Sequence, residues 1–133
     1  MNKKIDAVPL TRKMVMDMIA GRKDLRGKDL RKIDLTNLDF SHCDLTGANM
    51  SHTNLKNSVF FGANLKGSSL WSANLEDVNF ARANLQDADL DYARVSGAIF
   101  YAANLKRTCL PTELTPKEEI LSSVETGCPV GRR

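Results

Sequence analysis

From Leu25 to Leu110 every fifth residue is apolar: Leu25, Leu30, Leu35, Phe40, Leu45, Met50, Leu55 and so on to Leu105 and Leu110, without an exception. A helix of period 3.6 would smear these side chains around its surface, and a flat strand of period 2 would alternate them between faces. A backbone that turns a corner every five residues keeps them all inside. A longer period is superimposed, because the phenylalanines of this series stand at Phe40, Phe60, Phe80 and Phe100. Four pentapeptides therefore close one coil of square section. Each Phe is expected to lie above the last at the strand spacing of about 4.8 Å, where ring packing adds about 0.5–1.5 kcal/mol per pair.

The residues around each centre fit that geometry. Two before it stands a small residue, as at Cys43, Ala48, Thr53, Ser58, Ala63, Ala83 and Ala103, sized for the narrow interior. One before it stands mostly Asp or Asn, whose short polar side chains hydrogen-bond nearby backbone and so suit corners rather than acid–base catalysis. Gly27, Gly47, Gly62, Gly67 and Gly97 fall two after the centre, where a tight corner is expected. The pattern weakens in places. Lys23 and Lys28 hold the inward small position of the first two repeats, which are expected to be frayed or open to water. Ile33 and Leu38 predict a wider first coil, and Arg94-Val95 and Cys109-Leu110 predict local distortion.

Ala63-Asn64-Leu65-Lys66-Gly67, Ala73-Asn74-Leu75-Glu76-Asp77 and Ala83-Asn84-Leu85-Gln86-Asp87 match in full the motif of the pentapeptide repeat family, which the chain resembles over residues 22–112. The resemblance implies an all-β fold, a right-handed quadrilateral β-helix, here of about four and a half coils.

A solenoid leaves an open core and unpaired edges at both ends, and so needs caps. Residues 1–21 and 113–133 are expected to supply short helices. Thr11 is a candidate N-cap, with Leu10 and Val15 as a hydrophobic staple and Met14, Val15, Met18 and Ile19 as an apolar stripe ending at Gly21. Thr115-Pro116-Lys117-Glu118 reads as a capping box before Ile120, Leu121 and Val124, with a stop near Gly127. Each helix is read as a lid, with dimerisation as the alternative. Gly127 to Arg133 is expected to be a mobile tail.

Composition adds limits. With 133 residues, 42% of them hydrophobic and 26% charged, the chain reads as one soluble folded unit. No apolar run approaches the roughly 20 residues of a membrane span, and no leader pattern appears at the start. Three cysteines, Cys43, Cys109 and Cys128, form neither a disulfide framework nor a metal-binding pair, so a reducing cytoplasm is the expectation. The charge is uneven: +6 over residues 1–32, −2 over 33–110 and −1 over the remainder.

No catalytic constellation, metal cluster or cofactor motif is found, and a non-enzymatic role is expected. His42 and His52 are half a coil apart and cannot share a metal. Arg26, Lys66 and Lys106 fall in one outward column, near Arg22, Arg31 and Lys32, without interleaved aromatics, which disfavours nucleic acid. The candidate protein-contact face is Val59, Phe61, Ile99 and Tyr101, large apolar residues at outward positions beside the structural core column of Phe40, Phe60, Phe80 and Phe100. Trp71, with Tyr92, is placed on the neighbouring face, either as an extension of that patch or as scattered single residues. The reading is an interaction module for an unidentified protein partner or for a second copy of itself. The family resemblance implies an alternative, a DNA mimic that binds DNA gyrase as quinolone-resistance proteins do, which the basic net charge opposes.

Overall fold

The computed structural model describes residues 9–111 and 117–131. Its architecture follows from a single register. Parallel pairings join each residue before a centre to its equivalent twenty residues on, from Asp24 with Asp44 through to Asp89 with Cys109. The centre amides from Leu25 to Leu90 donate upward, as Phe40 N to Val59 O at 2.7 Å, and the preceding amides from Asp44 to Cys109, Asn54 apart, donate downward, as Asn64 N to Cys43 O at 3.0 Å. One turn of the solenoid is thus twenty residues and four faces.

The corners share one conformation. At every second position after a centre, from Gly27 to Arg107, φ lies between 55° and 80°. With the following amide returned to the centre's carbonyl, as Ala63 N to Phe60 O at 3.1 Å, this is a type II turn. Lys32, His42, Arg82, Tyr92 and Ala102 adopt it as fully as the glycines. The ladder above and below therefore imposes the left-handed residue, against a local preference that disfavours it. Asp and Asn brace the same corners from the side. Their Oδ1 accepts the amide two residues on, at Asp44–Thr46 (3.1 Å), Asn64–Lys66 (3.1 Å), Asn74–Glu76 (3.0 Å) and Asn104–Lys106 (3.0 Å).

The centres from Leu25 to Phe100 form the core and are buried without interruption. The Phe40–Phe60, Phe60–Phe80 and Phe80–Phe100 rings stack at 4.7, 5.3 and 5.2 Å with interplanar angles of 7°, 22° and 15°.

The weak repeats behave unequally. Asp24 and Asp29 keep their pairings while Lys23 and Lys28 stand in solvent, so the first coil is open at those positions but not frayed. At Ile33 and Leu38 the usual turn hydrogen bond to the carbonyl of the preceding centre is not formed. The expected distortion at Arg94 and Cys109 is not found: Leu75 N reaches Arg94 O at 2.7 Å and Leu90 N reaches Cys109 O at 2.8 Å. The ladder needs only backbone there, so the side-chain mismatch costs the corner brace alone.

Helix α1, Arg12–Ala20, closes the first coil. Thr11 caps it, its Oγ1 accepting the Met14 amide at 3.2 Å, and Val15 is fully buried. The Arg12 guanidinium donates to the Asp34 carbonyl at 2.8 Å, supplying the bond that a lower coil would have made. Gly21 has φ −91°, and the left-handed residue after the helix is Lys23, whose amide reaches Met18 O at 3.0 Å.

Helix α2, Lys117–Thr126, lies over the last coil with Ile120 and Ser123 buried; the capping box expected at Thr115 and Pro116 lies outside the described residues. Gly127, at φ +76°, turns the chain back. Of the segment expected to be a mobile tail, the described residues 127–131 form a final rung. Gly97 N donates to Val130 O at 2.7 Å, Val130 N to Ala98 O at 2.8 Å, and Ala102 N to Val124 O at 3.0 Å. Phe100 N finds the Ser123 hydroxyl at 2.9 Å. The segment from Val124 to Val130 thus crosses the edge antiparallel to residues 97–102. An open edge would leave those donors unpaired, and their demand orders the tail.

Candidate functional site

Inward positions are committed to packing, so recognition falls to the outward columns. At the corner that follows the phenylalanine centres, Phe61 is half-buried and Tyr101 is 42% exposed. Both are held from the side. The His42 ring meets Phe61 edge-on at 5.7 Å and 90°, and the Arg82 guanidinium lies 5.8 Å from the Tyr101 ring centre. Gly62 makes the first contact possible, because a Cβ there would stand 2.8 Å from His42 Nδ1. Gly127 of the terminal cap lies against Tyr101, where a Cβ would be 3.5 Å from Cδ1. Between the two aromatics in the same column sits Ala81, only 9% exposed. Val59 and Ile99 lie half-buried beside them.

Trp71 is not part of this patch. The twenty-residue register puts it ten residues from Phe61, half a turn away, and so on the opposite corner of the square. It meets His52 at 4.9 Å and 84° and Tyr92 at 5.8 Å and 70°. Together with Thr53, Asn54, Ser72, Asn74 and Arg94, His52 and Tyr92 line a shallow groove of about 350 Å³. Sequence reading missed this because it counted repeats along the chain rather than columns up the coil.

Several charged groups are paired with one another. Arg26 is bidentate to Asp24 at 2.9 Å and 3.7 Å from Asp44, Arg31 is bidentate to Asp29 at 2.8 Å, and Arg107 Nε reaches Asp87 at 2.7 Å. The Arg26 hydrogen bonds hold the Asp24 carboxyl down to about 2, and those of Arg31 do the same for Asp29. Asp34, Asp39 and Asp87 are also lowered, by the Thr36 amide, the Ser41 hydroxyl and amide, and the Arg107 side chain respectively. None of these displacements is upward, the direction a general acid needs at neutral pH. His42 and His52 stand on opposite corners, and among the described residues no group of His, Cys, Asp and Glu has the makings of a metal site. Cys43 is buried in a small position and its thiol is pushed up by desolvation, while Cys109 and Cys128 are exposed.

The pentapeptide repeat region matches residues 33–111, more than half of the chain. The chain therefore belongs to the pentapeptide repeat family, and its register is that family's right-handed quadrilateral β-helix. A pentapeptide repeat protein from Nostoc PCC 7120 is similar at 26% identity, over 89% of this chain and 97% of that one, with a TM-score of 0.76. Another, from the thylakoid lumen of Arabidopsis thaliana, is similar at 27% identity, over 80% and 70% of the two chains, with a TM-score of 0.65. The plasmid-mediated fluoroquinolone resistance protein QnrB1 is matched at 21% identity, over 60% and 45%, with a TM-score of 0.31. No curated protein sequence matches the chain.

Proposed function

We propose that this chain is a non-enzymatic scaffold whose phenylalanine corner is a contact face for a protein. The observation that carries the reading is the pair Phe61 and Tyr101, two large rings set outward in one column and pinned there by His42 and Arg82. Rings already held in one orientation lose little freedom on binding, which makes them efficient anchors. Imitation of duplex DNA is opposed by charge: the net balance is +3, and Asp24, Asp29 and Asp87 are each tied to an arginine.

The test is capture of proteins on immobilised wild type and on a Phe61→Ser, Tyr101→Ser variant, each washed in about 1 M salt, where screening leaves a reach of about 3 Å. Apolar recognition predicts a protein retained through the wash by the wild type and lost from the variant. Equal retention by both overturns the contact face, and retention that vanishes in salt points to charge recognition instead.

A further inference from the structure

We propose that the groove at the tryptophan corner binds an acidic sugar, a single pyranose ring that carries a carboxylate. The groove lies on the corner opposite Phe61 and Tyr101 and is independent of what binds there.

Two columns wall it. On one side His52 and Tyr92 stand two coils apart in the left-handed corner position, and the small Ser72 between them leaves a recess. Trp71 meets both rings edge-on, at 4.9 and 5.8 Å, and braces them. On the other side stand Asn54, Asn74 and Arg94, each one coil above the last. The oxygens of both asparagines are already taken: Asn54 Oδ1 accepts the Lys56 amide at 3.1 Å, and Asn74 Oδ1 accepts the Glu76 amide at 3.0 Å. What remains to offer is the Nδ2 group of each, and with the Arg94 guanidinium these make a wall of donors. Donors without acceptors call for a ligand rich in oxygen.

Charge narrows the class. Glu76 Oε1 lies 4.0 Å from both Lys56 Nζ and Arg94 Nη2, so one carboxylate serves two cations and a positive charge is left over. At that distance neither contact is a hydrogen bond, and the Arg94 fork keeps its donors for a planar carboxylate. Asp91 Oδ1 accepts the Tyr92 amide at 3.1 Å, and Asp91 does not line the groove. Arg94 is also the one cation in the series of residues before the centres, from Asp24 to Cys109, where Asp and Asn predominate and brace the corners. An arginine forgoes that brace.

Small-molecule sites are ordinarily apolar with a few polar groups. Here the proportion is reversed, with two rings set among hydroxyl, amide and guanidinium groups. Such a lining suits a sugar, whose hydroxyls need many partners and whose C–H faces lie against aromatic rings. Rings already braced lose little freedom when one does. A volume of about 350 Å³ is near the lower end for ligand sites, room for one ring.

Trp71 is the chain's single tryptophan and touches both ring walls, so its fluorescence reports on the groove. The test is to titrate the protein with glucuronate, glucose, acetate and benzoate, with saturation-transfer NMR of each ligand as a second readout. Glucuronate is expected to saturate with a Kd of about 1 mM, and glucose, which lacks the carboxylate, to bind at least about tenfold more weakly. Arg94→Gln should bring glucuronate down to the level of glucose, and Tyr92→Ala should weaken both by about fivefold or more. Lys66→Gln, which removes the same charge from another face, should change neither. All three side chains are exposed, and thermal melts establish that each variant folds. No saturation by glucuronate at about 10 mM overturns the site. Acetate or benzoate binding as well as glucuronate overturns the sugar. Glucose equal to glucuronate, an affinity indifferent to Arg94→Gln, or an equal loss with Lys66→Gln overturns the capture of the acid by Arg94.

Discussion

The Leu38 amide donates to the hydroxyl of Ser58, one coil above it, at 3.1 Å. That hydroxyl passes its own proton to the Leu35 carbonyl at 2.6 Å. Leu35 and Leu38 are the ends of one corner, and in the corners above it the equivalent amide and carbonyl bond directly, as Ser58 N does to Leu55 O at 3.0 Å. Leu38 is too large for the small position, the corner has opened, and a hydroxyl is spliced into the gap. Thr53 stands over Ile33 in the same way and donates to the Leu30 carbonyl at 3.1 Å.

Removing that splice should cost more than its size suggests. Ser58→Ala leaves a buried amide and carbonyl without the group that joins them, and a loss of about 1–3 kcal/mol is expected in urea unfolding. Ser68 is the control. It is also buried, but its hydroxyl has no hydrogen-bond partner among the described residues, so Ser68→Ala should be neutral or stabilising by up to about 1 kcal/mol. Equal effects at the two sites would show that the hydroxyl at Ser58 does not bridge the corner.

The stacked column makes a second, larger expectation. Phe80 is stacked between Phe60 and Phe100 in a narrow core of four buried centres to a coil, which cannot readily collapse onto a hole. Phe80→Ala should cost about 3–5 kcal/mol. Asn74→Ala removes one brace to the Glu76 amide and should cost about 0.5–1.5 kcal/mol, leaving any binding at the phenylalanine corner unchanged. A Phe80 effect below about 1 kcal/mol is not compatible with a buried stack.

These features differ in how far they could be read beforehand. The coil length and the Phe column were legible because a period of five, and another of twenty, stamp the same residue type at every turn. The corner brace was legible for the same reason. The placement of Trp71 was legible in principle, since ten residues is half of twenty, and only the count of columns was missed. The tail was not legible. Val130 is one apolar residue after Cys128 and Pro129, with no pattern around it, and its place is set by the Gly97 amide and the Ala98 carbonyl at the edge of the last coil. The Arg12 bond to the Asp34 carbonyl is of the same kind. Both are answers to an edge, and an edge exists only once the coil has closed.

Acid should loosen the first coil before the rest. The Asp24 and Asp29 carboxyls titrate near 2 when folded, against 3.8 ordinarily, because Arg26 and Arg31 hydrogen-bond their charged forms. A carboxyl lowered in this way stabilises the fold fully above its unfolded pKa, and that contribution disappears as the pH falls through the folded value. The window therefore runs from 3.8 down to about 2. Both pairs face water, so the effect is small and weakened by salt. The melting temperature of the wild type should fall more between about pH 5 and about pH 2 than that of an Asp24→Asn, Asp29→Asn variant. Parallel pH profiles for the two proteins would assign acid sensitivity to other groups.

At the far end, the final rung should control how the last coil opens. Val130 is 2% exposed and exchanges two backbone hydrogen bonds with Gly97 and Ala98. Val130→Asp puts a charge where there is no water, and the segment should leave the edge rather than bury it. The Gly97 and Ala102 amides would then lose the partners they have in Val130 and Val124. Their hydrogen exchange should quicken by about tenfold or more, equivalent to ~1.4 kcal/mol of local opening. The amides of Phe60 and Leu65, bonded to Asn79 and Asn84 of the next coil at 2.7 Å each, should keep their protection, because solenoid layers depend mainly on their neighbours. Uniform acceleration along the chain would mean that the rung supports the whole solenoid, and unchanged exchange at Gly97 would mean that Val130 does not close the edge.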